Sequence, residues 1–138
     1  MSPLSVIKLY GLTTVAFFAI DMVWLGWVAA GFYRRHIGSL LRADVVWGAA
    51  LAFYAVYIAG ILVFAVLPGL EAGSLTRAVA LGAFLGFFAY ATFDLTSMAL
   101  IEGFSWTVVL VDLAWGTVLT ASVAAAGFGL GRWLGLAT

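Results

Sequence analysis

Long apolar runs, separated by short polar stretches, set the pattern of this chain. The runs lie near 4–31, 45–67, 78–101 and 106–131, and each is long enough for the ~20 residues that a bilayer-spanning helix requires. Valine and phenylalanine recur so densely that short windows resemble strands. Length decides for helix, because a membrane strand needs only about 9 to 11 alternating residues and these runs neither alternate nor stop there. The pattern predicts an all-α fold: a transmembrane bundle of four helices with short loops, forming a single integral membrane domain over residues 1–138.

The breaks between runs carry the turn chemistry. Pro68-Gly69 is expected to end the second helix, since proline cannot continue a helix and glycine accepts the left-handed conformation. Glu102 to Ser105 is expected to be the tight turn of a helical hairpin. The first run opens like a signal peptide, with Lys8 before an apolar core and Val28-Ala29-Ala30 in place of a cleavage site. It is too long for the ~7 to 15 residues of a signal core, so it reads as a retained span. Trp24, Trp27 and Tyr33 are expected near its interfacial end, where amphipathic rings prefer to sit.

Composition agrees with this pattern. The chain is 66% hydrophobic and 9% charged, with a mean hydropathy of +1.20, whereas soluble domains carry roughly 25% charged residues. A formal net charge of zero and the absence of any like-charge run remove nucleic acid as a partner. With no cysteine, neither disulfides nor thiolate chemistry is available. The partners expected are the lipid bilayer and either a second copy or a larger membrane complex. Positive charges do not orient the chain, because Arg34, Arg35 and Arg42 on one side are matched by Lys8, Arg77 and Arg132 on the other.

Against this background the acids inside the runs stand out. Asp94 and Asp112 lie about 8 residues before and about 7 after the Glu102 to Ser105 turn, so at ~1.5 Å per residue they share a depth. Asp21 sits somewhat deeper in the first span. A carboxylate in hydrocarbon is costly and normally faces a bundle interior or wet cavity, which makes all three functional candidates. Four antiparallel spans place them towards the face that carries Arg34, Arg35, His36 and Arg42. One of these cations, Arg34 or Arg35 above all, is expected to offset part of the acidity, with protonation relieving the rest.

Several neighbours join the expected polar site. Tyr54 and Tyr57 share a helix face and offer hydroxyls; Ser97 and Tyr90 lie on or beside the line Gly82, Gly86, Tyr90, Asp94. Its GxxxG end permits close approach of another helix, as small residues do in membranes. Asp21-x-x-Trp24 and Asp112-x-x-Trp115 repeat one motif, in which an indole one turn away donates to the carboxyl or shields it. Gly127, Gly129, Gly131 and Gly135 make a small-residue surface near the carboxyl end.

The segments beginning WGAALAFYAVYIAG at Trp47, FFAYATFDLTSMAL at Phe87 and WTVVLVDLAWGT at Trp106, with DMVWLG at Asp21, resemble a family of small bacterial multi-pass membrane proteins known only as a domain of unknown function. The resemblance implies a bacterial inner-membrane protein of four spans and supplies no substrate, cofactor or catalytic residue. From the residues themselves, the first expectation is proton-coupled transport of a small solute or lipid-like molecule, since membrane carboxyls commonly couple protonation to release. The alternatives are an accessory subunit that uses the acids as interhelical glue, an enzyme acting on a lipid or isoprenoid, and a pigment- or quinone-binding bundle. His36 is the only histidine and no paired-carboxylate motif lies within one helix, so neither a metal site nor a cofactor is expected and an enzyme is the less favoured class. A cavity open to one face would favour transport, and a sealed dry bundle the accessory role.

Overall fold

The computed structural model describes residues 2–136; Met1, Ala137 and Thr138, the ends of the expected domain, lie outside the described residues. Helix α1, Pro3–Val23, starts where Ser2 accepts a hydrogen bond from the Ser5 amide at 3.2 Å and Pro3 occupies the first turn, where its missing N–H costs nothing. A π-helical turn, Trp24–Val28, leads without a break into α2, Ala29–Ile37. The expected basic loop is therefore largely helix. Helix α3, Trp47–Ile61, passes through a second π turn, Leu62–Val66, into α4, Leu67–Ala72. Helices α5, Leu75–Leu100, and α6, Trp106–Trp133, complete four helices long and apolar enough to cross a membrane, and the described residues contain no strand.

The second span corrects one expectation: it does not end at Pro68-Gly69 but runs to Ala72. The π turn immediately before Pro68 is the physical reason. Its wider turn relieves the clash that a proline ring makes with the preceding turn of a regular helix. The stop comes at Gly73 (φ +59°), where the Ser74 amide donates to the Gly69 carbonyl at 2.9 Å and the Gly73 amide to Leu70 at 3.1 Å. Ser74 then caps α5 by accepting from the Arg77 amide at 3.0 Å, so one residue both closes α4 and opens its successor.

Helix α6 is the centre of the bundle: 44% of its apolar stretch is buried, against 22–28% in the other spans. Its row Val108, Asp112, Gly116, Thr120, Ala124 and Phe128 is buried along its whole length. Gly82 and Gly86 of α5 pack against the lower part of that row; a Cβ at Gly82 would stand 2.7 Å from Ala124 Cβ, and one at Gly86 would collide with the Gly116 carbonyl. Gly127 and Gly131 receive Val66 and Leu70 of the second span, while Gly129 and Gly135 face open space, so the expected glycine surface is divided. Leu9, Phe17, Ile58, Ile61, Leu119 and Val123 fill the apolar core.

Candidate functional site

Above the glycine seam the same two helices meet through larger and polar side chains. On α5 the row changes from Gly86 to Tyr90 and Asp94, and on α6 from Gly116 to Asp112. The Tyr90 ring lies on Gly116, whose missing side chain provides the space. Asp94 is fully buried. Its interaction is with the Asp112 carboxyl across the hairpin, and two carboxyl groups hydrogen-bond only when one carries a proton. Without that proton neither oxygen of Asp94 has a partner. Ser97 is buried nearby, yet no hydrogen bond joins it to Asp94.

The residue that reaches this pair from the basic stretch is Tyr33, whose hydroxyl donates to Asp112 Oδ1. Arg34, Arg35, His36 and Arg42 are instead exposed. His36 Nδ1 lies 2.9 Å from the Phe32 carbonyl and Arg42 Nε donates to the Asp44 carbonyl at 3.2 Å. This corrects the expected arginine partner, and the π turn supplies the reason. Tyr33 follows Asp21 by 12 positions (33 − 21), which in a regular helix sets them about 120° apart. One extra residue in the π turn takes up about 100° of that, bringing Tyr33 round to the face of Asp21. Sequence reasoning placed Tyr33 at the interface because no residue marks the extra turn. Burial first, then the hydrogen bond and negative charge of Asp112, push the Tyr33 phenol above the usual tyrosine range.

The two D-x-x-W motifs come together. The Trp24 and Trp115 rings stack at 4.4 Å with 7° between their planes. Because the first and fourth spans run antiparallel, stacking the indoles sends the two carboxyls in opposite directions. Each lies three residues from its tryptophan, so Asp21 and Asp112 are separated by roughly 9 Å along the bundle axis. Asp94 and Asp112 thus form a pair, with Asp21 one level deeper. Among the described residues no three acid or histidine side chains gather as a metal site.

Asp21 has a thinner set of partners than Asp112. Its one hydrogen bond is from the Tyr54 hydroxyl to Oδ2, at 3.5 Å the outer limit of such a contact. Tyr57 takes no part: its hydroxyl meets Thr120 Oγ1 at 2.6 Å, below the acids. Between the two carboxyl levels lies a cavity of about 540 Å³, which Asp21, Asp112, Tyr33, Tyr54 and Tyr90 line with polar atoms. Its remaining wall is aromatic and aliphatic, including the Trp24–Trp115 stack, Phe17, Phe53 and Phe93. The cavity opens at the bundle surface between α3 and α5, each of which contributes an exposed lining residue. Phe53, 48% exposed, and Phe93, 59% exposed, stand at that opening.

Residues 6–129 match a family model described as a predicted membrane protein, DUF2177. No curated protein and no solved structure matches the chain.

Proposed function

Since the chain belongs to this family of predicted membrane proteins, whose description names no reaction, we propose a function from the cavity: proton-linked movement of a small lipid-like molecule through the bundle. The observation that carries this reading is a cavity of about 540 Å³, open towards lipid, with the Asp94–Asp112 pair behind its wall. That volume falls within the ~300 to 1,000 Å³ of small-molecule sites. Bundle stability alone gives no reason to leave such a space, because hydrogen bonds between membrane helices contribute only about 0.6 kcal/mol each.

The linkage to protons follows from the pair. Two adjacent carboxylates repel each other, and one shared proton turns the repulsion into a hydrogen bond. The groups facing Asp112 are the Tyr33 hydroxyl, the Asp94 carboxyl and, across the cavity, Tyr90. None of them is a cation. A molecule arriving beside Asp112 therefore changes how strongly the pair holds its proton, and the proton count changes how strongly the molecule is held.

Liposomes containing the protein and an internal pH dye test this reading. Tetraphenylphosphonium, tetraphenylborate and dodecanol, added separately, supply a lipophilic cation, anion and neutral amphiphile. At least one is expected to drive proton movement beyond that in protein-free liposomes, and the Asp94→Asn, Asp112→Asn double variant is expected to abolish it while remaining folded. Proton movement by none of the three, or undiminished movement by the folded double variant, sinks the carrier and leaves the accessory role in front.

A further inference from the structure

The two carboxyl levels of the cavity are not equivalent, and their difference bears on what the cavity holds. Asp112 is occupied: Tyr33 donates to one oxygen and Asp94 stands behind it. Asp21 also lines the cavity, is 8% exposed, and has only the long contact from Tyr54. A carboxylate in so apolar a setting is poorly compensated by one long hydrogen bond. No lysine, arginine or histidine lines the cavity to complete it.

We infer that Asp21 is the counter-ion for a ligand bearing a single positive charge on an apolar body, an organic amine, quaternary ammonium or phosphonium. The walls are chemically suited to such a group. Indole and phenol faces attract cations through their quadrupoles, most strongly when water is excluded, and Trp24, Trp115, Tyr54 and Tyr90 all present rings to this space. A divalent metal ion would need about six oxygen ligands in a compact shell, which one free carboxyl among aromatic rings does not provide. An anion would meet two acids and no cation. The opening between α3 and α5 allows the apolar part of the ligand to enter from lipid while its charged group moves inward to Asp21. For its role in transport the inference rests on the carrier reading, but binding is measurable without any pH gradient.

The test uses the purified full chain in nanodiscs of zwitterionic lipid, with tryptophan fluorescence as readout and empty discs as the baseline. Tetraphenylphosphonium and tetraphenylborate have the same shape and opposite charge. Saturable quenching is expected with the phosphonium, and only the linear partition of empty discs with the borate. Asp21→Asn is expected to weaken phosphonium binding by about tenfold or more, which corresponds to about 1.4 kcal/mol; Asp21→Glu should recover part of it. Asp44→Asn, an exposed acid on the same side of the bundle, should leave it unchanged. If Asp21→Asn does not fold, the wild-type comparison of the two ions still decides. Saturable binding of the borate, or of neither the phosphonium nor the slimmer dodecyltrimethylammonium, overturns the assignment, as does unchanged affinity in folded Asp21→Asn. None of these results alters the proton-flux measurement, so the ligand's charge and the carrier reading fail separately.

Discussion

Helices α5 and α6 are a hairpin with two unlike halves. In the half nearer the chain termini, Gly82 and Gly86 lie against Gly116, Thr120 and Ala124, and the backbones come close enough that no side chain fits between them. In the half nearer the Glu102 to Ser105 turn, Tyr90, Asp94 and Asp112 take over the same rows, and the space beside them becomes a cavity. Both helices are continuous, and each starts at a serine cap, Ser74 and Ser105. What changes is the size and polarity of one residue in every four. Small residues turn a helix face into a contact; large and ionisable ones turn it into a site.

The most disruptive way to break this contrast is to fill the closed half. Gly86→Leu places a side chain into the Gly116 carbonyl and Thr120. It is expected to destabilise the bundle by about 3 kcal/mol or more, at the upper end of overpacking costs because the neighbour is backbone. Gly129→Leu, facing open space, should change stability by less than about 0.5 kcal/mol. Thermal unfolding in detergent of the two variants side by side checks the pair, and similar losses in both would refute the seam.

An intermediate effect is expected in the open half from Tyr33→Phe, which removes the donor to Asp112. Because burial and Asp112 push this phenol up, its folded-state proton is held after the unfolded chain begins to lose its own near pH ~10. The sign follows: the stabilisation is complete below that pH and is lost as pH rises above it. Alkaline titration followed by tyrosinate absorbance should show one fewer late-ionising phenol in Tyr33→Phe. An unchanged number of late phenols would place Tyr33 outside the site.

The smallest change belongs at the boundary of the halves. Tyr57→Phe removes a buried hydroxyl bonded to Thr120 at 2.6 Å, and about 0.6 kcal/mol is expected, the average for such bonds within membranes. Phosphonium binding should be unaffected, since Tyr57 does not line the cavity. A loss of binding comparable to that of Asp21→Asn would extend the site downward past Tyr57.

Much of the fold was legible residue by residue. Uninterrupted apolar length gave the spans, the Gly82–Gly86 spacing marked a contact face, and the equal distances of Asp94 and Asp112 from their turn anticipated their meeting. The repeated D-x-x-W was visible as a repeat, but its meaning was not: each indole was expected to serve its own aspartate, whereas Trp24 and Trp115 stack on each other. That stack depends on the antiparallel approach of α1 and α6, which no local spacing encodes.

The hydrophobic pattern by itself determined a four-span helical membrane protein with acids in three of its helices, because transfer of apolar length into lipid and the cost of a buried carboxyl are properties of the residues alone. Only the tertiary structure decided which polar groups meet. One extra residue in the Trp24–Val28 turn rotates Tyr33, rather than an arginine, onto Asp112, and another π turn carries the second span past Pro68. Opposed helix directions then divide the acids between two levels. A helix face repeats every 3.6 residues, so a single inserted residue redirects everything beyond it, and whether that insertion is tolerated depends on the packing of helices distant in the chain.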